Sequence, residues 1–96
     1  MTKLSKQIAN CFEEGGKLII FGNGGSMAEA SHMATEFIGL GCPAIALSDP
    51  ATITALGNDF GYENVFRRWI SAISNGNDLL IGISSSGKSK NVNNAL

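Results

Sequence analysis

Hydrophobic positions follow two spacings that alternate along the chain. Over residues 3–14 the apolar residues recur at the spacing of one helical face, which predicts a helix. The residues on this face are Leu4, Ile8, Cys11 and Phe12. An unbroken apolar run follows at 18–21, and a strand buried on both faces is predicted at 17–21. Gly15 and Gly16 separate the two elements and are expected to end the helix.

The alternation continues over the rest of the chain. The predicted elements are a helix at 26–38, a strand at 43–47, helices at 50–56 and 62–74, a strand at 79–83 and a helix from 91. Strands alternating with helices predict an α/β fold, in which helices cover both faces of a parallel sheet in three layers. We expect residues 1–96 to be a single but partial domain, because three strands are few for such a sheet.

Local signals predict where several elements begin and end. Ser26 and Glu29 have the spacing of a capping box, so Ser26 is expected to cap the second helix. Asp49 followed by Pro50 is a typical helix start. Residues 57–61, GNDFG, are expected to form a loop. Asn58 and Asp59 in this segment either serve the turn or contact sugar hydroxyls, and the motif alone does not decide between the two.

Composition and charge exclude several classes of partner. The 96 residues are 44% hydrophobic and 16% charged, with a net charge of -1, so part of the surface is expected to be buried by self-association or by further chain. No basic block is present, and nucleic acid is therefore not an expected partner. No apolar run approaches the about 18 residues of a membrane span. Cys11 and Cys42 lack metal or redox spacing, which indicates reduced thiols and a cytoplasmic protein.

Two loops rich in small residues follow the first and third predicted strands. The first loop, GNGGS at 22–26, lets backbone amides approach a ligand and leads into a helix N-terminus. The second has four serines within residues 84–89, whose hydroxyls suit phosphate oxygens. A tight turn and a solvated serine loop are the simpler alternatives. Ligands of parallel sheets bind at the carboxyl ends of strands, so the presence of two such loops favours binding.

Residues 82–89 also match the nucleotide P-loop pattern G-x-x-x-x-G-K-S. Gly82 lies inside the apolar run of the third strand, whereas the first P-loop glycine begins the loop. We therefore rank nucleotide binding below phosphate binding by the serines, with Lys88 as a further phosphate contact.

His32 and Glu36 are spaced four residues apart on the second predicted helix and share one face. Such a pair can bind one metal ion or one substrate. An ordinary surface histidine and carboxylate are the alternative, which is weakened by the glycine loop at the start of the same helix. A metal site would need further ligands from outside this chain.

These segments together resemble the sugar isomerase (SIS) domain family, and within it the phosphoheptose isomerases. The resembling segments are GNGGS with the His32/Glu36 helix, PAIALSD, NDFGYENVF and LLIGISSSGKSKNV. The resemblance implies a flavodoxin-like parallel sheet. It also implies an isomerase that interconverts a ketose and an aldose of a seven-carbon sugar phosphate, for surface polysaccharide. A sugar-phosphate sensor or adaptor of the same family, without catalysis, is the competing function.

The resemblance also implies a set of site residues. His32 and Glu36 would bind zinc, and Glu36 would also contact substrate and transfer the proton. The substrate-binding positions would be Asn23, Gly24, Gly25, Ser26, Asn58 and Asp59, with Ser84, Ser85, Ser86 and Ser89 at the phosphate. A homotetramer with sites between subunits is implied as well. The family's later Gln and His metal ligands are absent here, Leu40 replaces a common Arg, and Lys88 replaces a common Asn.

Overall fold

Three parallel strands alternate with five α-helices in a computed structural model that describes residues 2–96. The strands are β1 (Leu18–Gly22), β2 (Ala44–Ala46) and β3 (Leu79–Ile83). The helices are α1 (Lys3–Glu13), α2 (Gly25–Gly39), α3 (Pro50–Phe60), α4 (Val65–Ile73) and α5 (Lys90–Ala95), with a 3₁₀ helix at Tyr62–Asn64. The predicted α/β fold is confirmed. None of the helices within the described range is long and apolar enough to cross a membrane.

The sheet has the order β2-β1-β3, with β1 in the centre and buried along its whole length. Its side chains alternate between two hydrophobic clusters, one on each face of the sheet. Ile19 and Phe21 pack against residues of α4 and α5, whereas Leu18 and Ile20 pack against α1 and α2. The structure therefore has three layers, and burial on both faces explains why β1 shows no polar alternation.

One face of α4 lies in the core. Val65, Phe66 and Ile70 are buried, and the Phe66 ring lies 5.1 Å from the ring of Phe21 between centroids. Arg67 and Arg68 on the same helix are exposed. The helix begins with the 3₁₀ turn at Tyr62–Asn64, so its α-helical part is shorter than the predicted 62–74.

The predicted capping box at the start of the second helix is wrong. The N-cap of α2 is Gly24, which has no capping side chain, and Ser26 lies inside the first turn. The amide of Ser26 donates to the Asn23 carbonyl oxygen at 2.9 Å, so the tight turn itself satisfies this donor. By contrast, the predicted cap of α3 is confirmed, because Asp49 Oδ2 accepts from the Thr52 amide at 2.9 Å.

The loop predicted at 57–61 is also wrong, because α3 continues through Phe60. A Cβ atom added at Gly57 would lie 3.7 Å from the Val65 side chain, so the helix packs closely against the start of α4 at this glycine. The end of α3 is held by Asn64, whose Nδ2 donates to the Phe60 carbonyl at 2.9 Å. Tertiary contacts therefore outweigh the low helix propensity of the segment.

A partly buried ion pair lies at the amino-terminal edge of the sheet. Lys17 Nζ lies 2.7 Å from Asp78 Oδ2, and the Asp78 side chain is 1% exposed. Burial by itself raises the pKa of Asp78, but hydrogen bonds from the Lys17 side chain, the Lys17 amide and the Asn75 amide outweigh it and hold this pKa below its usual value. The ion pair thereby joins the segment before β1 to the segment before β3, which are distant in sequence.

Candidate functional site

The two loops predicted to bind a ligand begin side by side at the carboxyl edge of the sheet. Strands β1 and β3 are neighbours, and Gly22 pairs with Ile83. The glycine loop (residues 22–26) and the serine loop (residues 84–89) therefore leave the sheet at the same level. This is the edge at which parallel sheets bind their ligands.

A pair of asparagine side chains connects the two loops. Asn23 Nδ2 donates to Asn91 Oδ1 at 2.9 Å, and Asn91 Nδ2 donates to Asn23 Oδ1 at 2.8 Å. The hydroxyl of Tyr62 lies 2.9 Å from the same oxygen of Asn23. Asn91 is 3% exposed and directly follows the serine loop and Lys90. Asn91 and Tyr62 were not predicted to lie at the site. The sequence signal that could have indicated Asn91 is a polar side chain directly before the apolar residue Val92.

Glycine is required in the first loop by both geometry and space. Gly24 has φ 55° and ψ -122°, a backbone conformation that residues other than glycine rarely adopt. A Cβ atom added at Gly22 would lie 2.7 Å from the Ile83 carbonyl oxygen and 2.8 Å from Ser26 Cβ. The loop therefore lies directly against the end of β3, while Gly24 and Gly25 are exposed and open to a ligand.

The serine loop is organised by its own hydroxyl groups. Ser84 Oγ and Ser89 Oγ lie 3.1 Å apart and span the loop. Ser84 Oγ also accepts from the Gly87 amide at 3.1 Å, and Ser86 Oγ accepts from the Lys88 amide at 3.1 Å. Ser85 is exposed at the bend. The loop thus gathers hydroxyl and amide groups, which are the groups that bind a phosphate.

Gly82 does not act as the first glycine of a P-loop. It lies within β3, one residue before the end of the strand. A Cβ atom added there would lie 2.8 Å from Val92 Cγ1, so this glycine allows α5 to pack on the sheet. The structure supports ranking the nucleotide pattern below the serine loop.

His32 and Glu36 form an exposed pair on α2. His32 Nε2 lies 3.7 Å from Glu36 Oε1, and the two side chains are 77% and 70% exposed. Nitrogen and carboxylate oxygen are ligands that zinc accepts, so the pair fits two of the four positions of a tetrahedral site. Within residues 2–96 no group of three His, Cys, Asp or Glu side chains is placed to hold a metal ion. Any remaining ligands lie outside this range or on another copy.

The pair lies away from the two loops. Strands β1 and β2 are parallel, so α2 between them runs back from the carboxyl edge. Counted from Gly25, the start of α2, His32 and Glu36 lie about 10 and 16 Å along the helix at the usual rise per residue. The structure therefore brings the loops together and leaves His32 and Glu36 apart from them.

Asn58 and Asp59 lie in the last turn of α3, and both are exposed. Asn58 Nδ2 lies 3.4 Å from Asp59 Oδ1. Among the hydrogen bonds of residues 2–96, none joins either side chain to the glycine loop or the serine loop. The contact between this region and the site is made instead by Tyr62, in the 3₁₀ helix that follows.

The sequence matches the family described as the SIS domain over residues 1–96. The chain belongs to the SIS domain family. This SIS domain is 45% identical over 103 residues to the phosphoheptose isomerase of Pelobacter propionicus, with 100% of this chain and 54% of that protein aligned. It is 47% identical over 98 residues to the phosphoheptose isomerase of Sodalis glossinidius, with coverage of 96% and 50%.

Solved structures agree with this membership. The phosphoheptose isomerase GmhA from Neisseria gonorrhoeae superposes with a TM-score of 0.92 at 41% identity, over 96% of this SIS domain and 50% of that chain. A phosphoheptose isomerase from Francisella tularensis gives a TM-score of 0.91 at 40% identity, with the same coverage. The SIS domain described here thus spans about half the length of the proteins it matches, and its fold is the corresponding part of theirs.

Proposed function

We propose that this SIS domain belongs to a phosphoheptose isomerase, which interconverts sedoheptulose 7-phosphate and D-glycero-D-manno-heptose 7-phosphate. The main support is the pairing of the glycine and serine loops at the carboxyl edge of the sheet, in a chain that is 45% identical to an isomerase of this name. The heptose would serve the synthesis of surface polysaccharide. Cys11 and Cys42 are free thiols, which supports a cytoplasmic location.

The serine loop would hold the phosphate. Hydroxyl groups already form hydrogen bonds within this loop, namely those of Ser84, Ser86 and Ser89. The side chain of Ser85 is exposed beside them. A phosphate has several acceptor oxygens and can replace the contacts that the hydroxyls and amides of this loop now make with one another. Binding the phosphate at a fixed point orients the sugar chain for reaction.

The glycine loop would bind the sugar. Its open backbone at Gly24 and Gly25 allows close approach, and Asn23 and Ser26 add polar side chains. Asn58 and Asp59 at the end of α3 would contact sugar hydroxyls from the neighbouring side.

Glu36 would carry out the proton transfer. The carboxylate takes a proton from the carbon next to the ketose carbonyl, and an enediolate forms. The same proton is returned to the former carbonyl carbon, and the proton of the neighbouring hydroxyl passes to the former carbonyl oxygen, which gives the aldose. His32 and Glu36, with ligands from elsewhere, would hold zinc, which would supply positive charge that polarises the reacting oxygens.

A second copy of the protein would complete the site. Glu36 lies about 16 Å along α2 from the glycine loop of its own chain, a long distance for one small sugar phosphate. Its exposed side chain can instead face the loops of a neighbouring copy. Ile38 and Leu40, which are 58% and 77% exposed near the end of α2, give this surface an apolar part. We propose a homotetramer with shared sites.

The assignment is tested by Glu36→Gln in the intact protein. Turnover of sedoheptulose 7-phosphate should fall by about 100-fold or more, because loss of a general base costs about 10²–10⁴-fold. Binding of the sugar phosphate, measured by calorimetry, should survive. Zinc content measured on the same samples separates loss of the base from loss of the metal.

Glu29→Gln is the matched control, since Glu29 is an exposed carboxylate on the same helix. It should leave turnover unchanged. Full turnover by Glu36→Gln would rule out the proposed role of Glu36.

A further inference from the structure

One backbone group determines the orientation of two side-chain amides beside the candidate site. The amide nitrogen of Val92 lies 2.9 Å from Asn91 Oδ1. A backbone N–H can only donate, so the Asn91 atom that it contacts must be the oxygen. The other amide atom, Asn91 Nδ2, is then the donor to Asn23 Oδ1 at 2.8 Å, and Asn23 Nδ2 donates back at 2.9 Å.

The same reasoning determines the direction of the Tyr62 hydrogen bond. The Tyr62 hydroxyl lies 2.9 Å from Asn23 Oδ1, which is an acceptor, so the hydroxyl must donate. Asn23 Oδ1 therefore accepts from two donors, Asn91 and Tyr62, and a carbonyl oxygen has two lone pairs. Asn23 Nδ2 uses one of its two N–H groups on Asn91. Within residues 2–96, the Asn23 side chain therefore has one N–H without a partner, and its oxygen has no lone pair left to accept a further hydrogen bond.

We propose that Asn91 and Tyr62 are positioning residues, which hold Asn23 so that it can only donate a hydrogen bond to the ligand. The ligand atom that fits this group is an acceptor, the carbonyl or a hydroxyl oxygen of the sugar phosphate. This inference rests on the proposed function, since it assigns a specific polarity to one contact of the same site.

The burial of Asn91 supports a positioning role. Burying an amide is costly unless its groups are paired, whereas an aliphatic residue of similar size would pack beside Val92 without that cost. Asn91 is 3% exposed, and its side-chain amide makes three hydrogen bonds: two with the side chain of Asn23 and one with the backbone amide of Val92. The arrangement fixes the glycine loop relative to α5, which starts where the serine loop ends.

A purely structural role, in which the pair only docks α5, gives a different expectation. Asn94 supplies a docking contact of that kind, because its Nδ2 donates to the Glu63 carbonyl at 3.1 Å and does not touch Asn23. Asn94→Ala is therefore a matched control for the loss of one hydrogen bond between α5 and the 3₁₀ helix.

The test is a double-mutant cycle with Tyr62→Phe and Asn23→Ala in the intact protein. Tyr62 is 57% exposed, and Tyr62→Phe removes only the hydroxyl, so folding is preserved. The Kd of sedoheptulose 7-phosphate is measured by calorimetry for each variant. Tyr62→Phe should raise Kd about 3- to 10-fold, as expected for one hydrogen bond. In the Asn23→Ala background the same change should raise Kd less than about 1.5-fold, because Tyr62 acts through Asn23.

Each outcome has a distinct meaning. Asn94→Ala should leave Kd unchanged in both backgrounds. An equal effect of Tyr62→Phe with and without Asn23, or no effect in either, would overturn the positioning role. A wild-type protein that does not bind sedoheptulose 7-phosphate would overturn the proposed function, and this inference with it.

Discussion

Alanine substitution at two neighbouring glycines of the glycine loop should change the stability of the protein in opposite directions. Among residues 2–96, a Cβ atom at Gly24 or at Gly25 would meet no other atom within 4 Å, so neither Gly24→Ala nor Gly25→Ala creates a clash there. Gly24 has φ 55° and ψ -122°, and alanine in such a region costs about 1–3 kcal/mol. Gly25 begins α2 with an ordinary negative φ, where alanine is favoured over glycine by up to about 1 kcal/mol.

The difference in the free energy of unfolding between the two variants can be predicted more precisely than either value alone. Alanine restricts the unfolded chain equally at both positions, so this contribution cancels when the variants are compared. Gly24→Ala should therefore be less stable than Gly25→Ala by about 2 kcal/mol, the middle of the range for the backbone strain of alanine at Gly24. For a domain of this size, that difference corresponds to about 8–16 °C in Tm.

Urea and thermal unfolding followed by circular dichroism measure this difference. Equal stability of the two variants would show that Gly24 does not hold its positive-φ conformation in solution. The reasoning about the loop after β1 would then fail, whatever the effect on ligand binding.

Two further predictions concern the amino-terminal edge of the sheet. Gly16→Ala should destabilise the protein by about 3 kcal/mol or more in urea unfolding, because its Cβ would overlap the Asn77 carbonyl, whereas Gly76→Ala, with open space around it, should change stability by less than about 1 kcal/mol. Similar stability of the two variants would contradict the close approach at Gly16. Asp78→Asn should cost about 1–3 kcal/mol at neutral pH through its bonds to Lys17. Because the folded pKa of Asp78 is depressed, its contribution is present above about pH 4 and is lost as the pH falls through that lower pKa. Asp78→Asn should therefore flatten the loss of stability in acid, and an unchanged acid profile would refute this role.

The sequence by itself determined the elements and their order. The apolar run Leu79–Ile83 is β3 with the predicted bounds. Within residues 2–96 this strand pairs only with β1 and is partly buried, but both of its faces pack against hydrophobic clusters, which favours apolar residues over its whole length. The glycines at 22 and 24 and the serines at 84, 85, 86 and 89 predict where a ligand would approach, because backbone freedom and hydroxyl groups follow from residue type; this stays a prediction. Asp49 and Pro50 likewise identified the start of α3.

Other features depended on contacts between distant segments. The helix α3 passes through Gly57 and Asn58, because packing against α4 compensates for their low helix propensity. The start of α2 needs no serine cap, because the turn at Gly24 already satisfies the amide of Ser26.

The tertiary structure alone decided how the candidate site is held. Asn23 and Asn91 are 68 residues apart, and no local pattern pairs their amides. They meet because β1 and β3 are neighbours in the sheet, with Gly22 opposite Ile83. The hydrophobic pattern predicts each helix or strand from its own residues. Hydrogen bonds between loops depend on which strands are neighbours, because that order brings the strand ends together.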